Sequence, residues 1–298
     1  MKAKYPLLAV FGLLAMASLA ARAEVPVPDV AVSEEGQQVV INLPQTRLFL
    51  FDKGQLVKTW PVAVGKMLTR TPTGTFEVTG IYKAPAWHVP RSIQQEMKAK
   101  GKPVQTIVPP GPDNPLGPMF IRFGEPGLGL GIHGTNAPAS VPGFRSHGCV
   151  RMKNEDVLDL AGEVAAGTAV TVTYQTILLN LDDKGDLWLT AYRNLYEHDD
   201  ISPRMLADTL LAWQHDNSRT VYGKRVDMAL HERSGKPVCI SCRAQRPARS
   251  DMAWSALRWL SSPQREDGPS TVATPPVREP GPARGVSRLS LSSGESRG

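Results

Sequence analysis

Beyond its first residues, this 298-residue chain has no hydrophobic run long enough to cross a bilayer, which excludes a protein held in a membrane by several helices. Charge of one sign is not in large excess either. The formal balance is +6, and removal of residues 1–23 would take away Lys2, Lys4 and Arg22 and leave +3. That is a weak basis for a polyanionic partner, and no nucleic acid partner is expected. No internal repeat is visible. Cysteine is scarce, limited to Cys149, Cys239 and Cys242. The remainder, 41% hydrophobic and 21% charged, has the composition of a soluble globule with room for one large domain and extras.

The chain opens with Lys2 and Lys4, then the apolar run Leu7 to Ala17, then the small-x-small site Ala21-Arg22-Ala23. That order is a secretory signal peptide over residues 1–23, too short for a comfortable span, so the exported form is expected to carry no stable membrane span. An odd number of cysteines in an oxidising compartment leaves one unpaired. Cys239 and Cys242 are three positions apart and form the natural pair, which leaves Cys149 as a free thiol. A redox-active pair lacks a surrounding βαβ pattern, and half of a metal site near His231 lacks a second ligand pair.

Alternation and β-branched content predict a mainly β fold. Residues 24–36 form an extended leader. Strands follow at 39–43, 47–51, 55–62, 75–79, 120–123 and 129–133, with turns at Asp52-Lys53-Gly54 and Thr71-Pro72-Thr73-Gly74. Residues 83–118 are rich in Pro, Gly and Lys, have one short helix near 93–100, and read as a functional loop or lid. Asn154 is a good cap for a helix over 155–165, closed by Gly167. A strand at 169–174 and a hairpin at 177–192 follow, then a helix at 202–215 capped by Ser202 and Pro203. Residues 216–245 are mixed, and 262–298 have the composition of a disordered tail. The expected organisation is a signal peptide at 1–23, a leader at 24–36, a catalytic domain at 37–195, a helical accessory region at 196–261 and the tail at 262–298.

The chemistry concentrates in Ile132-His133-Gly134-Thr135-Asn136 and Arg145-Ser146-His147-Gly148-Cys149-Val150-Arg151-Met152. A cysteine nucleophile needs a base, donors for an oxyanion and access. His133 ends a strand. In extended backbone His147 and Arg151 share the face of Cys149. Gly148 allows close approach of a substrate carbonyl. Spacing alone leaves open a buried structural cysteine and a His/His/Cys metal site, although the latter lacks a clear fourth ligand.

His133-Gly134-Thr135 and Ser146-His147-Gly148-Cys149-Val150-Arg151 closely resemble the signature of the L,D-transpeptidase catalytic domain, the YkuD-type family. Thr71 to Phe76, with Val64-Gly65 before it, resembles the family's upstream turn. Val108 to Gly117 resembles a segment of the periplasmic ErfK/YbiS/YcfS/YnhG branch. The likeness covers residues 37–175 and names nothing in 196–298. Members of that branch often carry a LysM module, for which strands beginning at 37 leave no room.

The resemblance implies a sandwich of mixed β-sheets with few helices, one of them following the cysteine motif. It implies a cysteine acyltransferase of the periplasm, active in peptidoglycan and cell-wall biogenesis and in cell shape, needing no cofactor and no metal. Cys149 would attack the bond between meso-diaminopimelate and D-Ala of a tetrapeptide stem, and an amine would then take the acyl group. That amine belongs to a second stem, giving a 3-3 crosslink, or to a Lys of an outer-membrane lipoprotein. By the same resemblance His133 is the base and the Gly134 carbonyl orients it. His147 and Ser146 support the site, and the Gly148 and Cys149 N–H groups form the oxyanion hole. Arg151 holds substrate charge, with Thr135 beside it. The alternatives are an L,D-carboxypeptidase or amidase using water, and a non-catalytic wall-binding protein.

Overall fold

The structure, a computed structural model, describes residues 25–198 and 201–260. The signal peptide read at 1–23 and the tail read at 262–298 lie outside the described residues. The chain divides into Met1–Ser261 and Ser262–Gly298, and every described residue belongs to the first unit. Among the described residues no helix is long and apolar enough to cross a membrane.

The strands are β1 (Gln37–Asn42), β2 (Arg47–Asp52), β3 (Gln55–Pro61), β4 (Ala63–Gly65), β5 (Gly74–Lys83), β6 (Trp87–His88), β7 (Ile107–Val108), β8 (Met119–Phe123), β9 (Gly131–His133), β10 (Gly143–Ser146), β11 (Val150–Arg151), β12 (Ala169–Thr173), β13 (Ile177–Leu181), β14 (Leu187–Ala191), β15 (Val238–Cys239) and β16 (Ser255–Ala256). The α-helices are α1 (Arg91–Ala99), α2 (Asn154–Glu163), α3 (Pro203–Asn217) and α4 (Gly223–Glu232). The mainly β class and the helix after the cysteine motif are as the sequence predicts.

Ten strands form one mixed sheet in the order β10-β4-β11-β9-β8-β5-β12-β1-β2-β3. β5 joins its halves. Gly74 to Glu77 pair with β12, and from Val78 onward the strand pairs with β8, with a register shift between Val78 and Gly80. Residues from both halves meet in one core. Val39, Ile41, Leu48 and Leu50 pack with Ile121, Phe123, Ile132 and Val150, and Val157 and Leu160 of α2 close the cluster. Burying each such side chain is worth about 1.5–3 kcal/mol.

The opposite face of β1 and β2 is also covered. Val40, Phe49 and Phe51 pack with Val27 of the leader and with Trp188, Met252 and Trp254. The period-2 alternation therefore feeds two cores, which is why these strands are apolar at nearly every position. The leader is extended, as read, and is packed rather than loose.

A second sheet runs β15-β14-β13-β16, with α3 and α4 contributing Leu206, Leu210, Trp213, Val226 and Ala229 to a core with Ile177, Leu179 and Leu189. The hairpin at 177–191 thus pairs with strands from the region beyond residue 196. Cys239 and Cys242 are joined in a disulfide, the first of the three readings of that pair. Asp186 lies close enough to both sulfurs to suggest a metal cluster, but bonded sulfurs offer no thiolate ligand. Asp182 and Asp186 both accept from Arg246 at 2.6 Å, and Asp182 also accepts from Trp188 Nε1 at 2.9 Å.

Candidate active site

β9 and β11 run parallel, with Ile132 opposite Val150 and His133 opposite Arg151. Ile132 and Val150 are fully buried in the main core. Strand alternation then turns His133 and Arg151 to the other face, and Cys149, two residues before Arg151, to that face with them. Two short strands thus bring together residues from the two sequence motifs.

His133 is buried, and its Nδ1 lies 2.6 Å from the Gly134 carbonyl oxygen. A carbonyl only accepts, so Nδ1 carries the proton and Nε2 keeps the free lone pair. Burial pushes the His133 pKa down to about 4; the Gly134 carbonyl pulls it up, and the Arg151 cation adds to the fall. The Phe120 ring stacks on the imidazole at 6.2 Å between centroids. Cys149 is partly buried, and its Sγ donates to the Gly129 carbonyl at 3.4 Å. Burial raises the thiol pKa, while a hydrogen bond from the Gly131 backbone and the Arg151 charge oppose that rise. At neutral pH the resting pair is therefore thiol and neutral imidazole.

Arg151 donates through Nη1 to Ser140 Oγ at 2.9 Å, and its buried Nε has no hydrogen-bond partner. A guanidinium N–H left in that state favours an acceptor brought by a ligand. Burial also lowers the Arg151 pKa, and Cys149 raises it.

The loop before Cys149 departs from two expectations. Gly148 has φ +116°, a conformation that L side chains rarely adopt. The two-residue alternation that would put His147 beside Cys149 is interrupted there. His147 instead places Nε2 at 3.2 Å from Glu96 Oε1 on α1, and Glu96 has its pKa lowered by that neighbour first. The Gly148 N–H, expected as half of an oxyanion pair, donates to Ser146 Oγ at 3.2 Å. Ser146 Oγ in turn donates to the Cys149 carbonyl, which makes Ser146 the clasp of this turn. Thr135 is buried and shapes the turn after His133, accepting at Oγ1 from the Ala137 N–H at 2.9 Å.

Two residues to which the sequence reading gave no role at the site hold the loop. Thr71 Oγ1 donates to the Gly148 carbonyl at 2.8 Å and accepts from the Gly65 N–H at 2.9 Å. Tyr196 is fully buried; its hydroxyl accepts from the Thr71 N–H at 3.2 Å and donates to the Gly65 carbonyl at 2.7 Å. Its ring stacks on Tyr174 and meets Phe144 edge-on. Thr71 sits in the upstream turn already noted, but nothing local marks Tyr196.

The segment 83–118 contains α1, the short helix expected there, and also the β6–β7 hairpin, which its sequence does not announce. Asn114 is its buried hub. Nδ2 donates to the carbonyls of Pro85, Val108 and Pro109, and Oδ1 accepts from the Leu116 N–H at 2.9 Å. Asn114→Ala is expected to cost about 1–3 kcal/mol locally, because it removes a buried carboxamide that holds four backbone groups of the segment together. Limited proteolysis should then cut within 83–118 well before it cuts the wild type. An unchanged cleavage pattern would contradict this role.

Sequence comparison places these features in context. The chain matches the family model for YkuD, the L,D-transpeptidase catalytic domain, over residues 36–172. It is 31% identical over 211 residues to the probable L,D-transpeptidase ErfK/SrfK of Escherichia coli strain K12, covering 68% of this chain and 66% of that protein. It is 30% identical over 219 residues to the probable L,D-transpeptidase ErfK/SrfK of Salmonella typhimurium strain LT2, covering 70% and 68%. An alignment that takes in 68% of the chain passes residue 196 wherever it begins, so the likeness extends beyond the 37–175 span read from motifs. Among solved structures, an L,D-transpeptidase from Mycobacterium smegmatis superposes with a TM-score of 0.38 at 18% identity, over 46% of this chain and 58% of that one.

Proposed function

This chain belongs to the L,D-transpeptidase family, and from that premise we propose that it is an exported cysteine acyltransferase acting on peptidoglycan stem peptides. Cys149 attacks the carbonyl between meso-diaminopimelate and the terminal D-Ala. His133 Nε2 takes the thiol proton as the carbon–sulfur bond forms, so the thiolate need not pre-exist. The Cys149 N–H faces the developing oxyanion. The tetrahedral intermediate collapses, His133 returns the proton to the departing amine, and D-Ala leaves behind a thioester. An acceptor amine then attacks the thioester, gives its extra proton to His133, and Cys149 recovers its own on release. Arg151 holds a substrate carboxylate through its unpartnered Nε and the charge beside it.

The observation that carries this reading is the face shared by Cys149, Arg151 and His133, with the imidazole proton fixed on Nδ1 by the Gly134 carbonyl. An acyl transfer to an amine needs a thioester that outlasts water, and the segment 83–118, tied to the cysteine loop through Glu96 and His147, supports water exclusion there. The periplasm is the proposed compartment, on the strength of the signal peptide read at residues 1–23.

The acceptor is tested by product analysis. Wild-type protein is given a disaccharide-tetrapeptide with and without a Lys-ended peptide. D-Ala release with a crosslinked dimer assigns stem crosslinking. Release with dimer absent and a peptide adduct present assigns protein attachment. D-Ala release with neither product would replace transfer by hydrolysis.

A further inference from the structure

Asn154 has the sequence signature of a helix cap, yet it does not act as one. α2 begins at Asn154 itself, Lys153 stands at the cap position, and no side-chain cap bond is made there. The Asn154 carboxamide is used elsewhere. Its Oδ1 accepts from the Thr135 N–H at 2.7 Å.

That N–H belongs to the peptide unit joining Gly134 to Thr135. The carbonyl of the same rigid unit is the one 2.6 Å from His133 Nδ1. A planar peptide held at its N–H has its C=O direction fixed as well. The surroundings are built around the carboxamide: a methyl group at Gly117 or Gly134 would lie 2.6 or 2.5 Å from Asn154 Oδ1. Both positions are glycine, and they leave the room that oxygen occupies. The neighbouring Met152 N–H also binds the His133 carbonyl at 2.8 Å, so the backbone on either side of the imidazole is tied to the strand leading into α2.

We propose that Asn154 is a positioning residue that sets the tautomer of His133 by locking the Gly134–Thr135 peptide plane. It touches neither substrate nor the reacting atoms. It acts through the backbone: with the plane fixed, Nδ1–H has a partner and Nε2 is left as the basic nitrogen. Without it the Gly134 carbonyl can turn away, and the imidazole can place its proton on Nε2, where it cannot accept the Cys149 proton. The catalytic consequence rests on the acyltransfer reading above, whereas the tautomer itself does not.

The test uses the full chain labelled with ¹⁵N-histidine, with the His133 signals assigned by their loss in His133→Gln. Wild type should show His133 as the Nδ1–H form at neutral pH. Asn154→Ala should show a mixture of the two forms and, with a stem peptide, a fall in kcat of about tenfold to hundredfold with KM nearly unchanged. Asn154→Asp keeps the acceptor oxygen and should keep the Nδ1–H form. An Asn154→Ala protein that melts earlier but holds His133 wholly as Nδ1–H would overturn the proposal, because the residue would then be structural only. If Asn154→Ala does not fold, Asn154→Asp decides alone: a lost Nδ1–H form there overturns it too. Wild-type protein that shows the expected tautomer but never releases D-Ala would sink the acyltransfer reading and leave the tautomer result standing.

Discussion

His133→Gln is expected to slow formation of the Cys149 acyl-enzyme by about 10²–10⁴-fold, the usual worth of a positioned general base. The size follows from the resting state. Burial raises the Cys149 pKa, so little thiolate exists at neutral pH without a base to take the proton. The same burial gives the wild type an unusual pH signature. With its pKa pushed down to about 4, His133 stays neutral and basic well below the usual range for histidine. The acid limb of kcat/KM should fall near pH 4 rather than near pH 6.5.

Stability must follow the same linkage. In the unfolded chain the imidazole takes its proton first, so the folded state loses stability as pH drops from about 6.5 towards 4, and no further below that. The shift corresponds to about 3 kcal/mol for this one group. Urea unfolding at pH 7 and pH 4, in wild type and in His133→Gln, measures it. The wild type should lose more stability than the variant by about that amount. Equal losses would mean that His133 titrates like an exposed histidine, and the buried-base account would fail.

Thr71→Val should be the second large effect. The Thr71 hydroxyl holds the Gly148 carbonyl, and the opposite end of that peptide unit is the Cys149 N–H. Since the Gly148 N–H is taken by Ser146, the Cys149 N–H is the group left to meet an oxyanion. Losing one oxyanion donor outright typically costs about 10²–10³ in kcat. Loosening its aim should cost about tenfold to hundredfold. Val keeps the shape and removes the hydroxyl, leaving a buried carbonyl unpaired at about 1–3 kcal/mol. Thr71→Ser should restore most of both losses. If Thr71→Val lowers the melting temperature yet acylates Cys149 at the wild-type rate, the hydroxyl braces the loop without aiming the donor.

Much of this architecture was readable where local chemistry repeats. Runs of apolar, β-branched and aromatic residues marked β1 and β2, whose two faces are both covered, while alternation marked β12 and helical spacing marked α2 and α3, each with one face buried. The two chemical motifs were readable for another reason: His133, Cys149 and Arg151 are unusual residues in a tight pattern. Short elements escaped. β6, β7, β15 and β16 are two residues each, too short to show any alternation. α4 begins at Gly223 without a side-chain cap and buries only Val226 and Ala229, so its stripe is thin. Effects that depend on one dihedral or one distant partner left no trace. The positive φ of Gly148 turned His147 towards α1, against the alternation rule. Tyr196 lies 131 positions from Gly65, whose carbonyl it binds. Asn154 was misleading in a more instructive way. A residue that suits a cap was used to hold a peptide plane, and only the structure shows where its oxygen points.

Intact mass of the mature protein after mixing with a disaccharide-tetrapeptide, beside Cys149→Ala, tests the central claim most directly. The account predicts a mass gain equal to the whole disaccharide-tetrapeptide minus D-Ala on the wild type alone, with free D-Ala released in step. An adduct that persists in Cys149→Ala, or no adduct and no D-Ala from reduced wild-type protein, would contradict it.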